Sequence, residues 1–401
     1  MLILIGTLYF FYVLLKLYIS ASEIGFVSYA KNLPAVILSS ENYQKAAEYK
    51  ISNERLHVLV NFYDYALFLF WILFGLKVLE TLCIKEGGII ESVIFVMSFI
   101  VINYILTLPF DIYSTFVQDK KFGFSTIDAK TYLLDSIKSA VIFLILGGLI
   151  IALISWIISS FALWWLWSFA AIFVLILFIN MFYPTLIAPL FNKFIPLENS
   201  ELKNSIEVLM QKAGLKSSGI FTMDASKRDN RLNAYFGGLG KSKRVVLFDT
   251  LLKKLSVNEL LAVLGHELGH FKHKDILKNI VLTAALLFAL FAFFGNLPDG
   301  VYEAFGIKNS AHSAIVIFLL LSSAVSFLIM PIFGYLSRKN EYRADEYGSE
   351  CESKEALASA LVKLADENKS FPRSHFLYIA FYHTHPPLVE RLKALGMDTE
   401  K

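Results

Sequence analysis

Two histidines four residues apart, with a glutamate directly after the first, are the residues best placed to do chemistry: His266-Glu267-Leu268-Gly269-His270. In a helix, residues four apart lie about 40° apart around the axis and about 6 Å along it. His266 and His270 therefore share one face and can bind one metal ion. Glu267 sits beside that face, placed to take a proton from a water held there. The spacing is H-E-x-x-H, in which two imidazoles hold zinc and the Glu is the general base for peptide hydrolysis.

Catalytic zinc takes three protein ligands and keeps one position open. Glu341, in Arg338-Lys339-Asn340-Glu341-Tyr342-Arg343-Ala344-Asp345, is the candidate third ligand. Asp345, four residues on, shares its helix face and is placed to orient a histidine or an arginine. Alone, this stretch would read equally as a solvated cap on a membrane helix. Asp275, five residues after His270, reads either as a partner of that ligand or as an interfacial charge. His273, between Lys272 and Lys274, reads as a membrane-surface anchor. His385, fixed by Pro386-Pro387, is a candidate donor to the oxyanion opposite the metal, or else a surface histidine in a turn.

The histidines need a helix. Ser256 with Glu259 makes a capping box, and Leu260, Leu261, Val263 and Leu264 supply apolar surface behind the histidines. Around that helix the composition is that of a membrane protein: 56% hydrophobic, 18% charged, with 36 Phe in 401 residues. A net charge of +3 is too small to indicate nucleic acid, and no basic stripe with interleaved aromatics appears. Cys83 and Cys351 read as inert thiols with no disulfide between them.

Seven membrane spans are expected, near 1–20, 62–82, 91–110, 139–159, 161–182, 276–297 and 313–336. They divide the chain into a membrane region, 1–182, and a peptidase domain, 183–401. Within 183–275 an amphipathic helix is expected over 199–214, with strands over 219–224, 232–236 and 244–249. Gly237-Gly238-Leu239-Gly240 reads as the turn between the last two. The tail 337–401 reads as largely helical, broken by Pro372 and Pro386-Pro387. An odd number of spans puts the termini on opposite faces. The loops 21–60, 111–138 and 183–275 and the tail share one side, which holds nearly all the loop lysines and arginines. The positive-inside rule makes that side cytoplasmic and places the N-terminus outside.

With these residues in order, the sequence resembles the type I CAAX prenyl proteases, integral-membrane zinc metallopeptidases. The matching residues are His266-Glu267-Leu268-Gly269-His270, Asn340-Glu341 with Asp345, Asn233-Ala234-Tyr235, and Thr384-His385-Pro386-Pro387 with Arg391. Pro109-Phe110-Asp111-Ile112-Tyr113-Ser114-Thr115-Phe116 and Lys121-Phe122-Gly123-Phe124 also match. The resemblance implies a mainly α, multi-pass fold: seven helices around an intramembrane chamber, the metal site under a cytoplasmic cap with a small β-sheet. It implies one Zn2+ on His266, His270 and Glu341, with Glu267 activating water and His385 stabilising the oxyanion. It implies Arg391 paired with Asp345, and Asn233 and Ala234, with Tyr235, on an edge strand that holds the substrate backbone. The implied substrate is a peptide or protein, with or without a C-terminal prenyl group, met beside membrane lipid.

Two positions depart from the family pattern: Asp119 and Ser125 stand where the family usually has Glu and Asn. The chain ends at Lys401 without a dilysine retention signal, and its compactness points to a bacterial inner membrane rather than an endoplasmic reticulum. Two other readings compete. One is a membrane quality-control zinc protease with no lipid requirement, which the five spans before His266 disfavour. The other is a transporter or lipid-binding protein with structural zinc, which would need four closed ligands.

Overall fold

In the computed structural model, which describes residues 1–215, 218–238 and 243–399, the apolar runs form helices with little protein around them. Among the described residues seven helices are long and apolar enough to cross a membrane: Leu2–Ala30, Ser40–Cys83, Ile89–Lys121, Ala129–Ser160, Trp164–Leu190, Asp275–Gly295 and Ala311–Cys351. A helix satisfies its own backbone, so it can stand in lipid. Leu8, Phe11, Leu144, Leu149, Trp167 and Phe178 point outward, as lipid-facing residues do.

These helices overrun the expected spans. The stretches 21–60 and 111–138, expected as loops, are mostly helical. Their turns lie beyond the apolar run and carry polar residues, so hydropathy alone does not mark them. Ser39, whose side chain accepts from Asn42 N, starts the second helix well before its apolar part. Asn103, the polar residue in the third span, is satisfied internally: it accepts from Trp71 Nε1 at 3.0 Å and donates to Phe99 O at 2.7 Å. It lines a cavity of about 340 Å3 with Lys16, Asn61, Asp64 and Ser323, between the first, second, third and seventh membrane helices.

The sheet has the order β1-β2-β4-β3, with β1 Phe194–Pro196, β2 Ile220–Met223, β3 Ala234–Gly237 and β4 Arg244–Phe248. Three strands are those expected. β1 was not, because three residues offer no alternation to read. β3 runs antiparallel to β4 and, among the described residues, has no neighbouring strand on its other side. Of the expected turn, Leu239 and Gly240 lie outside the described residues.

The helix of the histidines, Val257–Lys272, starts at the expected Ser256–Glu259 capping box. Its buried Leu260, Leu264 and Leu268 pack with Ile206, Leu247 and Leu251 under the sheet. Its other face lies against the seventh membrane helix, and glycine makes the approach possible. A Cβ on Gly269 would stand 2.9 Å from Ala344 Cα, and one on Gly348 would stand 2.8 Å from His266 N. The tail forms helices Lys354–Glu367, Phe376–Tyr382 and Leu388–Ala394, broken at the expected prolines. Cys83 and Cys351 are free thiols.

Two predictions follow from this packing. Gly269→Val should push the two helices apart at a cost of about 1–3 kcal/mol, and the purified variant should carry well under one metal ion per chain by elemental analysis. The second concerns Glu259, which accepts from Ser359 Oγ at 2.6 Å, Lys363 Nζ at 2.8 Å and Ser256 N at 2.7 Å. Burial alone would raise its carboxyl, but these donors outweigh burial and hold it at about 2, below its ordinary 4.5. A depressed carboxyl stabilises the fold above the unfolded value and stops doing so as pH falls from about 4.5 toward 2. Glu259→Gln should therefore lower the thermal midpoint at pH 7 and leave a weaker dependence on pH below 5.

Candidate active site

One turn of helix separates the two histidines, and both aim Nε2 at the same carboxylate. His266 Nε2 lies 3.5 Å from Glu341 Oε2, and His270 Nε2 lies 3.2 Å from Glu341 Oε1. Ligand-capable atoms of the three residues fall within 4.8 Å of one another. They meet because the seventh membrane helix continues unbroken past the apolar run, carrying Glu341 to the histidines.

The outward nitrogens are held as well. His266 Nδ1 donates to Asp345 Oδ1 at 2.8 Å, and His270 Nδ1 donates to Asp275 Oδ2 at 3.1 Å. A carboxylate on Nδ1 fixes the tautomer and leaves the Nε2 lone pair free for a cation. Each carboxylate has its own cation. Arg391 grips Asp345, Nε to Oδ2 at 2.8 Å. Lys278 Nζ at 2.8 Å and Arg343 Nη2 at 3.3 Å serve Asp275. Asp275 thus contacts His270 directly, as the first of its two readings expects. His273 caps the end of the His helix and lies outside the ligand group.

The residues fit a divalent cation. Glu341 Oε2 is buried and has no hydrogen-bond partner. Burial opposes charge on His270, but Glu341, then Asp275 and Glu267, outweigh it and raise its pKa to about 9. These three carboxylates around the imidazoles are negative charge that a metal ion would offset. Burial pushes the Glu267 carboxyl above its ordinary range, against the pull of His266 and His270.

Glu267 lies where two pockets meet. One, of about 260 Å3, is shared with Gly237, Gly238, Lys243 and His270. The other, of about 200 Å3, is lined by Asn233, Ala234, Leu251, Val263, His385 and Arg391. β3 therefore runs past the ligand cluster with its open edge available. Asn233 precedes β3 and holds Ala234 N–H through Oδ1 at 2.8 Å, while Tyr235 lies within the strand. His385 Nε2 stands 3.3 Å from Glu341 Oε1, and Thr384 Oγ1 lies 3.0 Å from its Nδ1. Desolvation pushes the His385 pKa down, against the pull of Glu341.

The departing residues sit beside the approach to β3. Asp119 accepts from Tyr49 and from Arg231 Nη2 at 2.8 and 2.9 Å, and Ser125 bridges to Asp229. Sequence reasoning missed Arg338, which donates to Ile379 O and His383 O at 2.8 and 2.7 Å and so holds the turn that carries His385. It missed Lys278 too, although its place three residues after Asp275 could have marked it.

Asp345→Asn should weaken metal retention by about 10–100-fold while the chain stays folded, read as zinc lost against a graded chelator series. Unchanged retention would separate Asp345 from the metal.

Residues 196–398 match the model of peptidase family M48, and residues 26–193 match that of the CAAX prenyl protease N-terminal region, five membrane helices. The chain is 31% identical to CAAX prenyl protease 1 of Saccharomyces cerevisiae, over 92% of this chain and 89% of that protein. It is 31% identical to the CAAX prenyl protease 1 homolog of Arabidopsis thaliana, over 91% and 90% of the two chains. The crystal structure of S. mikatae Ste24p superposes with a TM-score of 0.92 at 29% identity, covering 98% of each chain.

Proposed function

The chain belongs to peptidase family M48, with the CAAX prenyl protease N-terminal region, and from that premise we propose that it is a zinc endopeptidase cutting near the C-terminus of prenylated C-a-a-X proteins. It is an integral, multi-pass membrane metalloprotease, which sets aside the transporter reading. The observation that carries the proposal is the convergence of His266, His270, Glu341 and Glu267 beside the open edge of β3. The substrate class follows the relatives' names.

Zinc on His266, His270 and Glu341 would lower the pKa of a water and polarise the scissile carbonyl. Glu267 takes a proton from the attacking water and delivers it to the leaving amine. Its raised pKa suits a group that must hold a proton between those two steps. His385, with Thr384 on Nδ1, carries a proton on Nε2 and donates it in a hydrogen bond to the oxyanion. Asn233, Ala234 and Tyr235 hold the peptide as an added strand. Asp345, Arg391 and Asp275 keep the imidazoles oriented. Residues 1–182 form the membrane scaffold and 183–401 the peptidase part. The lysine and arginine bias supports a cytoplasmic site with the N-terminus outside, in a bacterial inner membrane or, in a eukaryote, the endoplasmic reticulum.

The test is digestion of a farnesylated C-a-a-X peptide and its unmodified twin by the purified protein. Wild type should cut the lipidated peptide at least about tenfold faster, and chelation should stop it until zinc is restored. Glu267→Gln should keep zinc and lose turnover by three or more orders of magnitude. Near-normal turnover in that variant would remove Glu267 as base. Equal cleavage of both peptides would move the function to membrane proteolysis without a lipid requirement.

A further inference from the structure

On the reading that β3 holds the substrate, the place where its open edge stops decides how much peptide fits beyond the cut. Asn233 O accepts from Phe248 N at 3.1 Å, and the register sets Tyr235 opposite Val246 and Gly237 opposite Arg244. Backbone groups alternate sides along a strand. Ala234 and Phe236 therefore turn theirs to the open edge, where a peptide would replace the Asn233 side chain on the Ala234 N–H, and Leu232 is the next residue to do so. Leu232 is already taken. Its N–H donates to Asn368 Oδ1 at 2.8 Å, and its C=O accepts from Asn368 Nδ2 at 3.1 Å. One side-chain amide thus fills both positions that a longer substrate strand would use. The edge closes two residues, about 7 Å, before Ala234.

An antiparallel peptide on this edge runs N to C from Gly237 toward Leu232. Ala234 shares a pocket with His266, Glu267 and His385, so the scissile bond lies beside it. Residues after the cut then run toward Asn368, with room for about two or three before pairing ends.

Lys369 stands at that end. It follows Asn368, the cap of helix Lys354–Glu367, and sits at φ +47°. Glycine is the usual occupant of this left-handed position at a helix C-terminus, so the lysine is kept against local preference. Its Nζ lies 4.4 Å from the Phe124 ring centroid, and no carboxylate among the described residues pairs with it. Its neighbour Glu367 is turned to Lys254. Arg231, the other cation on Phe124, is paired with Asp119 and Asp229. Glu367 and Asp366 act on the ammonium through their charge without pairing with it, against Lys45 and Arg231, and a half-buried ammonium so placed can take a carboxylate brought from outside.

We propose that Asn368 closes the substrate edge and that Lys369 takes the C-terminal carboxylate of the peptide, so that the cut falls a few residues from a free chain end. An amidated end offers the ammonium a neutral carbonyl in place of a charge, a weaker partner, and a continuing chain must displace Asn368.

The test uses the full chain with Glu267→Gln, which holds peptides uncut, and reads their affinity by fluorescence anisotropy. Three lipidated peptides share one sequence and end in a free acid, an amide or a short extension. The free acid should bind about tenfold tighter than the other two. Lys369→Gly suits the left-handed backbone and should keep the thermal midpoint. It should bring the acid within about twofold of the amide. Asn368→Ala should improve the extended peptide relative to the acid. A structural role for Lys369 would instead weaken all three peptides alike. That result, or equal binding of acid and amide before substitution, would overturn the proposal. Binding of none of the three would overturn the reading of β3 as the substrate strand.

Discussion

Everything at the site depends on how closely the His helix approaches the seventh membrane helix. The three residues that could hold a metal ion come from both, and an imidazole and a carboxylate reach only so far. Gly269 against Ala344 and Gly348 against His266 set the separation, with no room for a Cβ at either glycine. Small residues let backbones approach and let dispersion hold them. The leucines behind the histidines then press the His helix from the other side, against β4 and the helix that follows it. A site built this way is rigid because its parts are clamped from two directions, which suits catalysis by fixed groups.

Close packing brings a second constraint. Glu341, Asp345, Asp275, Glu267 and two histidines share a small buried volume, and unpaired buried charge is costly. The fold answers with a cation for each supporting carboxylate: Arg391 for Asp345, Lys278 and Arg343 for Asp275. Glu341 is left with one oxygen unsatisfied. The acids thus differ in environment: Asp345 and Asp275 are paired with cations and hold imidazoles, Glu341 keeps an oxygen without a hydrogen bond, and Glu267 is pushed up by burial. Arg391 comes from the tail and Arg343 from the membrane helix, so neither part of the chain completes the site alone.

Much of this was legible from residue types and spacing, where the physics is local. The capping box, the H-E-x-x-H face and the seven apolar runs each depend on residues within a few turns of one another. Glu341 was legible because an even number of spans returns the chain to the same membrane face. What escaped reading was of two kinds. Polar helical ends, over 21–60 and 111–138, carry no apolar run and so resemble loops. Contacts between distant segments, such as Asn368 on Leu232 or Arg338 on the turn before His385, leave no pattern in either segment. β1 belongs with these, since its three residues form a strand only because β2 is there to pair.

The seventh membrane helix also fixes where the chemistry happens relative to lipid. Its apolar run ends near residue 336, and the same unbroken helix reaches Glu341 five residues later, about 8 Å further along its axis. The ligand cluster is thus held just beyond the apolar layer, at a height no loop can alter. A peptide in free solution gains nothing from that height. A chain whose end is tied to the bilayer by an apolar group arrives already confined to it, and its local concentration at the site rises accordingly. On the proposed function, the placement of Glu341 on a membrane helix, rather than on the part that carries the histidines, would couple bond cleavage to membrane attachment of the substrate.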